Sequence, residues 1–182
     1  CGNTSLLTRG FGTEKIEDEL AVMLPDAKVD RLDLDNTRRK DSYQKIITDF
    51  ESGKIDILVG TQMISKGLDF SNVKVVGILN ADNMLNYPDF RSYERSYQLM
   101  AQVGGRAGRK KGRGKVIIQT SDPKNPIIQS VINNDYHSVY HGQSDERKRF
   151  TYPPFCRLIK ITLKHKRKSI LNIASDDLAN RF

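Results

Sequence analysis

The feature that most constrains the fold is a regular alternation of short apolar segments with segments of helical periodicity. The apolar segments are rich in Val and Ile and have the length of strands. Strands that alternate with helices are typical of an α/β fold with a parallel sheet. The predicted strands are residues 28–34, 55–59, 73–81 and 116–120, and the predicted helices are residues 11–24, 38–52, 89–103 and 135–149.

Some of these predictions concern individual residues. Thr13 is expected to cap the first helix, on which Met23 is one of several apolar residues that share a face. Residues 73–81 read as a strand that is buried on both faces, because nearly all of its residues are apolar. Pro126 is expected to be the first residue of a further helix, where a missing amide proton costs nothing.

The last part of the chain predicts a second domain. Tyr152-Pro153-Pro154-Phe155 interrupts the helical pattern, and residues 158–163 then alternate as a strand does, with another helix beginning near Ser169. We therefore place a boundary near Thr151, with one domain at 1–150 and the beginning of a small α+β domain at 151–182. The cysteine at position 1 and the helical character of the last residues indicate a piece of a longer protein.

The basic composition of the chain indicates a protein that binds a polyanion. The formal net charge is +8, and nucleic acid is the common partner of such a chain, although a basic protein without that partner is the alternative. No apolar run approaches the roughly 20 residues that a membrane helix needs. Two cysteines make no disulfide framework, which favours a reduced, cytoplasmic setting.

The segment at residues 60–70, which we call the glycine–threonine segment, directly follows the predicted strand at 55–59. Ligands of parallel sheets bind beyond the carboxyl ends of the strands, so this loop is expected to be functional. It is not a P-loop, because that motif needs glycine where Ser65 stands and a hydroxyl residue where Gly67 stands. The chain therefore lacks the usual apparatus for binding a nucleotide by itself.

The segment at residues 102–109, which we call the arginine segment, carries two arginines beside several glycines. If the preceding helix continues, Gln102, Arg106 and Arg109 share one face. Gly104 and Gly105 would loosen its last turn and let the guanidinium groups turn outward. Such arginines can stabilise the charge that develops during phosphoryl transfer, as arginine fingers do. The alternative is a solvated basic helix end.

Together the two segments resemble motifs V and VI of superfamily 2 helicases, in the forms Thr-Gln-x-x-x-Lys-Gly-x-Asp-Phe and Gln-x-x-Gly-Arg-x-Gly-Arg. Within that superfamily the chain is similar to the bacterial replication-restart helicases over nearly its whole length. Gly104 stands at a variable position of the second motif, where this family more often has alanine. The shared stretches lie at residues 12–15, 60–63, 80–82, 88–91, 94–95 and 152–155.

The resemblance implies a second RecA-like lobe, a parallel sheet with helices on both faces, whose partner lobe carries the P-loop and the acidic Mg²⁺ motif. ATP and Mg²⁺ would be bound mainly by that other lobe. Arg106 and Arg109 would reach ATP across the cleft, and Gln102 would help to organise the catalytic water. Gly67 and Asp69 would line the ATP side and couple it to the DNA side.

The DNA side is implied in the same way. Thr61 would contact a phosphate of the tracked strand, and Gln62 and Lys66 are further candidates for DNA contacts. The implied activity is 3′ to 5′ unwinding of forked or single-stranded DNA in replication restart, with single-strand-binding protein and primosome loading proteins as partners. Another superfamily 2 translocase of DNA or RNA, and a non-catalytic DNA-binding scaffold, are the alternatives.

Metal binding is expected only outside this chain. Cys1 resembles the last cysteine of the family's paired zinc sites, so the parent protein would hold zinc. One remaining ligand cannot complete a structural site of four. We therefore expect no zinc in this chain. Because the P-loop is missing, we also expect no ATP hydrolysis by this chain alone.

Overall fold

The structure is a computed structural model that describes residues 12–33, 40–61, 72–108 and 114–181. Its elements alternate between helices and short strands, as the sequence predicts. They are α1 (Thr13–Met23), β1 (Val29–Leu32), α2 (Lys40–Glu51), β2 (Ile57–Gly60), β3 (Val75–Ile78), α3 (Ala81–Leu85), α4 (Ser92–Gly104), β4 (Lys115–Ile118), α5 (Pro126–Ile132), α6 (Tyr136–Arg149) and α7 (Lys168–Ala179).

The strands pair in parallel. β1 lies beside β2 with Leu32 opposite Gly60, and β3 lies beside β4 with Val75 opposite Lys115. Within the described residues these are two sheets of two strands each. The predicted fold class, α/β with parallel strands and intervening helices, is confirmed.

The larger apolar core lies among the helices that follow β3 and β4. Met100 of α4 is fully buried, and Ile128 of α5 is 2% exposed. Side chains of α3 and of the beginning of α6 complete this core, and Ile78 and Ile118 of the sheet pack against it. Burial of a side chain of this size contributes about 1.5–3 kcal/mol, so this core fixes α4 relative to β3 and β4.

A smaller core joins α2 to the β1–β2 sheet. Leu32 of β1 and Ile47 of α2 are buried, and Leu58 of β2 packs against them. Val73, which precedes β3, packs against the same cluster. Val73, three residues beyond the glycine–threonine segment, is therefore held against this core.

Two helix ends differ in how well the sequence predicts them. Pro126 is the first residue of α5, as expected, and the Asn125 side chain accepts a hydrogen bond from the Ile127 amide at 3.0 Å. The predicted cap at Thr13 is wrong, because Gly12 is the N-cap and Thr13 lies inside α1. The Thr13 hydroxyl instead donates to the Asp33 carboxylate at 2.6 Å.

The expected burial of β3 on both faces is also wrong. β3 covers only Val75–Ile78, and Val75 is 57% exposed. No residue of α1 is buried, and Met23 is 74% exposed. An apolar run specifies which residues could be buried, whereas the elements that pack on it decide which of them are.

The chain divides into two compact units, 1–140 and 141–182. In the second unit, residues 158–163 form no strand within the described part of the chain, so the strand predicted there is wrong. Alternation alone does not make a strand, because the backbone groups also need a partner strand. Ile159 is 83% exposed. The predicted helix near Ser169 is confirmed as α7. The domain boundary that we place near Thr151 stays a prediction.

Candidate functional site

The glycine–threonine segment begins at the carboxyl end of β2. Because Leu32 pairs with Gly60, Asp33 and Thr61 follow the ends of two neighbouring parallel strands. Thr61 is exposed, as a residue that contacts DNA must be. The other four predicted residues of this segment, Gln62, Lys66, Gly67 and Asp69, lie outside the described residues.

Asp33 is a buried carboxylate at this sheet edge that the sequence analysis missed. It is 8% exposed, accepts the hydrogen bond from Thr13, and lies 3.4 Å from Arg31 Nη1. Arg31 Nε also lies 3.3 Å from the carboxylate of Glu17. Burial raises the pKa of Glu17, although the positive charge of Arg31 acts in the opposite direction. These contacts tie α1 to the end of β1. An aspartate directly after a short strand, at the carboxyl edge of a parallel sheet, is the signal that could have found it.

The arginine segment begins inside α4 and ends beyond it. Gln102 is exposed on α4, which ends at Gly104 with Gly105 as its C-cap. The helix therefore does not continue to Arg109, which lies outside the described residues, and the predicted common helical face of Gln102, Arg106 and Arg109 is wrong.

Arg106 lies in a turn at residues 104–108, which we call the arginine turn. Its amide donates to the Val103 carbonyl at 3.1 Å, and the Ala107 amide donates to the Gly104 carbonyl at 3.2 Å. The Arg106 side chain is half-buried, with its Nε buried. Main-chain hydrogen bonds thus hold Arg106 and Ala107 in this turn, and the loosening expected from the two glycines stays a prediction.

A hydrogen bond connects the arginine turn to Val73, three residues beyond the glycine–threonine segment. The Gly108 amide donates to the Val73 carbonyl at 2.9 Å, and Gly108 has a φ of 78°, a conformation that favours glycine. The Lys115 amide likewise donates to the Lys74 carbonyl at 2.9 Å. The arginine turn therefore lies at the amino ends of β3 and β4, whereas Thr61 follows the carboxyl end of β2.

The Asn80-Ala81-Asp82 stretch has a structural role at the carboxyl ends of β3 and β4. Asp82 accepts hydrogen bonds from the Thr120 hydroxyl at 2.6 Å and from the Ser121 amide at 2.8 Å. These hydrogen bonds lower the pKa of Asp82 below its ordinary value, and the bond from Thr120 has the largest effect. The charged carboxylate thus joins α3 to the segment that follows β4.

The Pro88–Arg91 stretch is likewise structural. Asp89 accepts a hydrogen bond from the Arg91 amide at 2.8 Å and another from Arg95 Nη1 at 2.9 Å. Its carbonyl accepts the Ser92 amide at 2.9 Å. Asp89 therefore satisfies donors at the beginning of α4, the helix that leads into the arginine segment.

The described ranges contain neither a candidate metal site nor a helix suited to span a membrane. No group of three or more His, Cys, Asp or Glu residues suited to a metal ion lies among the described residues. Cys1, the possible remnant of a zinc site, lies outside them. None of the helices described is long and apolar enough to cross a membrane.

Comparison with known families decides the classification. The helicase conserved C-terminal domain family matches residues 11–111, which is more than half of the chain and includes both segments. The chain belongs to this helicase C-terminal domain family.

Relatives of this helicase C-terminal domain carry the name replication restart protein PriA. The Bacillus subtilis protein is 43% identical over 180 residues, which cover 99% of this chain and 22% of the relative. The Synechocystis protein is 42% identical over 159 residues, or 87% of this chain and 19% of the relative. The chain thus spans about a fifth of the length of these relatives.

A solved structure of the C-terminal domain of the DEAD-box protein Dbp5 resembles this helicase C-terminal domain with a TM-score of 0.45. It is 22% identical, and the match covers 69% of this chain and 66% of that one.

Proposed function

We propose that this chain is the second motor lobe of an ATP-dependent DNA helicase that moves 3′ to 5′ in replication restart and primosome assembly. Membership of the helicase C-terminal domain family and the names of the relatives support this proposal. The structural observation that carries it is the hydrogen bond from Gly108 to Val73. It ties the arginine turn to Val73, which lies three residues beyond the glycine–threonine segment, and through this bond we expect the two segments to move together.

The residues of this lobe that act on ATP are two arginines and a glutamine. Arg106 and Arg109 approach the phosphates of an ATP molecule that is held by an upstream lobe, and Gln102 helps to position the attacking water. ATP is the substrate here, and Mg²⁺ is bound by that other lobe. The absence of a G-x-x-x-x-G-K-[ST] stretch in this sequence fits this division of labour. Gly67 and Asp69 line the ATP side and couple it to the DNA side.

The DNA side begins at Thr61, whose exposure after β2 leaves it accessible to a backbone phosphate. Gln62 and Lys66 extend the contact along the same strand. The net charge of +8 supports a polyanionic partner, because cations that neutralise DNA phosphates release counterions. Closure of the two lobes on ATP brings the arginines to the γ-phosphate, while the glycine–threonine segment changes its hold on the DNA.

We infer the substrate, the partners and the location from the resemblance to replication-restart helicases. The substrate is forked or single-stranded DNA, the partners are single-strand-binding protein and primosome loading proteins, and the location is the cytoplasm. The parent protein holds zinc through cysteines that precede this chain. The motor lobe covers residues 1–150, and residues 151–182 begin the next domain.

Strand displacement tests this proposal directly. The full-length protein is given ATP and a forked DNA duplex with either a 3′ or a 5′ single-stranded tail, or the matching RNA duplex. We expect unwinding of the DNA with 3′ to 5′ polarity. Unwinding of RNA would instead indicate another superfamily 2 translocase. DNA binding without ATP hydrolysis would indicate a non-catalytic scaffold.

The chain alone provides a second test. Because the lobe that binds ATP is a separate part of the motor, this chain should hydrolyse ATP no faster than buffer, with or without DNA. Hydrolysis by the chain alone that DNA stimulates would contradict the two-lobe arrangement.

A further inference from the structure

The arginine turn is fixed from two sides. On one side are the main-chain hydrogen bonds of the turn itself and the bond from Gly108 to Val73. On the other side is β4 itself, where Val116 Cγ2 would lie 3.7 Å from a Cβ atom added at Gly104. The turn therefore occupies a space bounded by α4, the residues before β3 and the beginning of β4.

Gly114 closes this space. A Cβ atom added at residue 114 would lie 2.2 Å from the carbonyl carbon of Ala107, 2.4 Å from the Gly108 nitrogen and 2.6 Å from Ala107 Cβ. Ordinary contact begins at about 3.4 Å. Two of these three atoms belong to the backbone, which cannot rotate aside as a long side chain can. Only glycine fits here unless the backbone moves.

The arginine turn is the part that would move. Gly114 directly precedes β4, whose position is set by its register with β3 and by the bond from the Lys115 amide to the Lys74 carbonyl. Because Lys115, the next residue, is held in this register, a methyl group at residue 114 would displace Ala107 and its neighbours by roughly 1 Å. Arg106 is the residue next to Ala107.

We propose that Gly114 is a positioning residue for phosphoryl transfer, which holds the backbone of Arg106 where its guanidinium group meets the transferred phosphate. This inference rests on the proposed function. It extends the site beyond the arginine segment to a residue that carries no functional group. A displacement of about 1 Å in a catalytic group can lower the rate about 10²-fold.

The experiment compares Gly114→Ala with Gly77→Ala in the full-length protein. Gly77 lies in β3, and an added Cβ there meets nothing within 4 Å, so it controls for the loss of a glycine in the same sheet. Both variants are assayed for DNA-stimulated kcat, for KM for ATP, for DNA affinity and for Tm. The affinity for ADP with aluminium fluoride, which mimics the transferred phosphate, is measured beside that for ADP alone.

We expect Gly114→Ala to lower kcat about 10²-fold with KM for ATP and DNA affinity nearly unchanged. The preference for ADP with aluminium fluoride over ADP alone should fall by a similar factor, because only the transition-state contact is lost. Gly77→Ala should behave as the unmodified protein. Normal turnover in Gly114→Ala, or an equal loss of affinity for ADP with and without aluminium fluoride, would overturn the inference.

A second variant covers the case in which Gly114→Ala does not fold. Val116→Ala removes the methyl groups nearest to Gly104 and loosens the same turn without an overlap. It should also lower the preference for ADP with aluminium fluoride over ADP alone, by a smaller factor than Gly114→Ala does. An unchanged preference would count against the inference. The failure of the proposed function is separate: it would show as normal turnover in Arg109→Ala, whatever Gly114→Ala does.

Discussion

The Gly108 amide donates a hydrogen bond to the Val73 carbonyl oxygen at 2.9 Å. Gly108 ends the arginine turn, and Val73 packs into the small core around Leu32 and Ile47. A main-chain hydrogen bond contributes a net of about 0.5–1.5 kcal/mol, and this one also fixes the distance between two segments that lie far apart in the sequence. The site thus depends on the packing of the fold as well as on its own side chains.

The core beside α4 gives a direct prediction about stability. Ile128→Ala should lower the free energy of unfolding by about 2–5 kcal/mol, because the side chain is 2% exposed and its removal leaves a cavity. Ile132→Ala, in the same helix, should change it by less than about 0.5 kcal/mol, because Ile132 is 63% exposed. Urea unfolding measures both values. Equal losses would contradict the described packing of α5.

Asp89 should stabilise the beginning of α4. Asp89→Ala removes the acceptor of the Arg91 amide and of Arg95 Nη1, and we expect a loss of about 1 kcal/mol in unfolding free energy. Asp26→Ala is the control, because Asp26 is an exposed aspartate in a loop. Thermal unfolding compares the two. If Asp89→Ala melts at the temperature of the control, the hydrogen bonds at this helix end contribute nothing.

Asp82 predicts a dependence of stability on pH. Hydrogen bonds from Thr120 and Ser121 hold its pKa below the ordinary 3.8 in the folded chain. The stabilisation by Asp82 is therefore fully present above the pKa of the unfolded chain and is lost as the pH falls through the folded pKa. The difference in unfolding free energy between the unmodified chain and Asp82→Asn should shrink below pH 3.8.

Thr120→Val tests the cause of that shift. It removes the hydroxyl group that makes the largest contribution, so the pKa of Asp82 should rise toward 3.8. A carboxyl carbon NMR titration measures it. A pKa that does not change in Thr120→Val would assign the shift to another group.

Much of the fold follows from the sequence, because local chemistry decides it. Pro126 and Asn125 specify the beginning of α5 through a fixed φ and a side-chain cap, and both appear in the structure. Residues 158–163 show that a local pattern is not always enough to predict a strand. Their alternation is compatible with a strand, but a strand requires a partner that the segment does not encode.

The site divides in the same way. The two motif-bearing segments are visible in the sequence because they contain unusual combinations of glycine, threonine and arginine. Gly114 and Val73 carry no such signal, since one has no side chain and the other acts through its carbonyl group. Asp33 was overlooked because its position fitted an alternating strand, and only the fold places it beside Thr13 and Arg31. Contacts between residues distant in sequence are what the local pattern leaves out.

Whether the arginine segment acts on ATP is decided by the turnover of an Arg109 variant. DNA-stimulated ATP hydrolysis is measured in the full-length protein for Arg109→Ala, beside Arg157→Ala, an exposed arginine of the second unit, as the control. DNA affinity is measured in parallel. We predict that Arg109→Ala lowers turnover about 10³-fold or more and leaves DNA affinity nearly intact. Turnover close to that of the control would mean that Arg109 does not act on ATP.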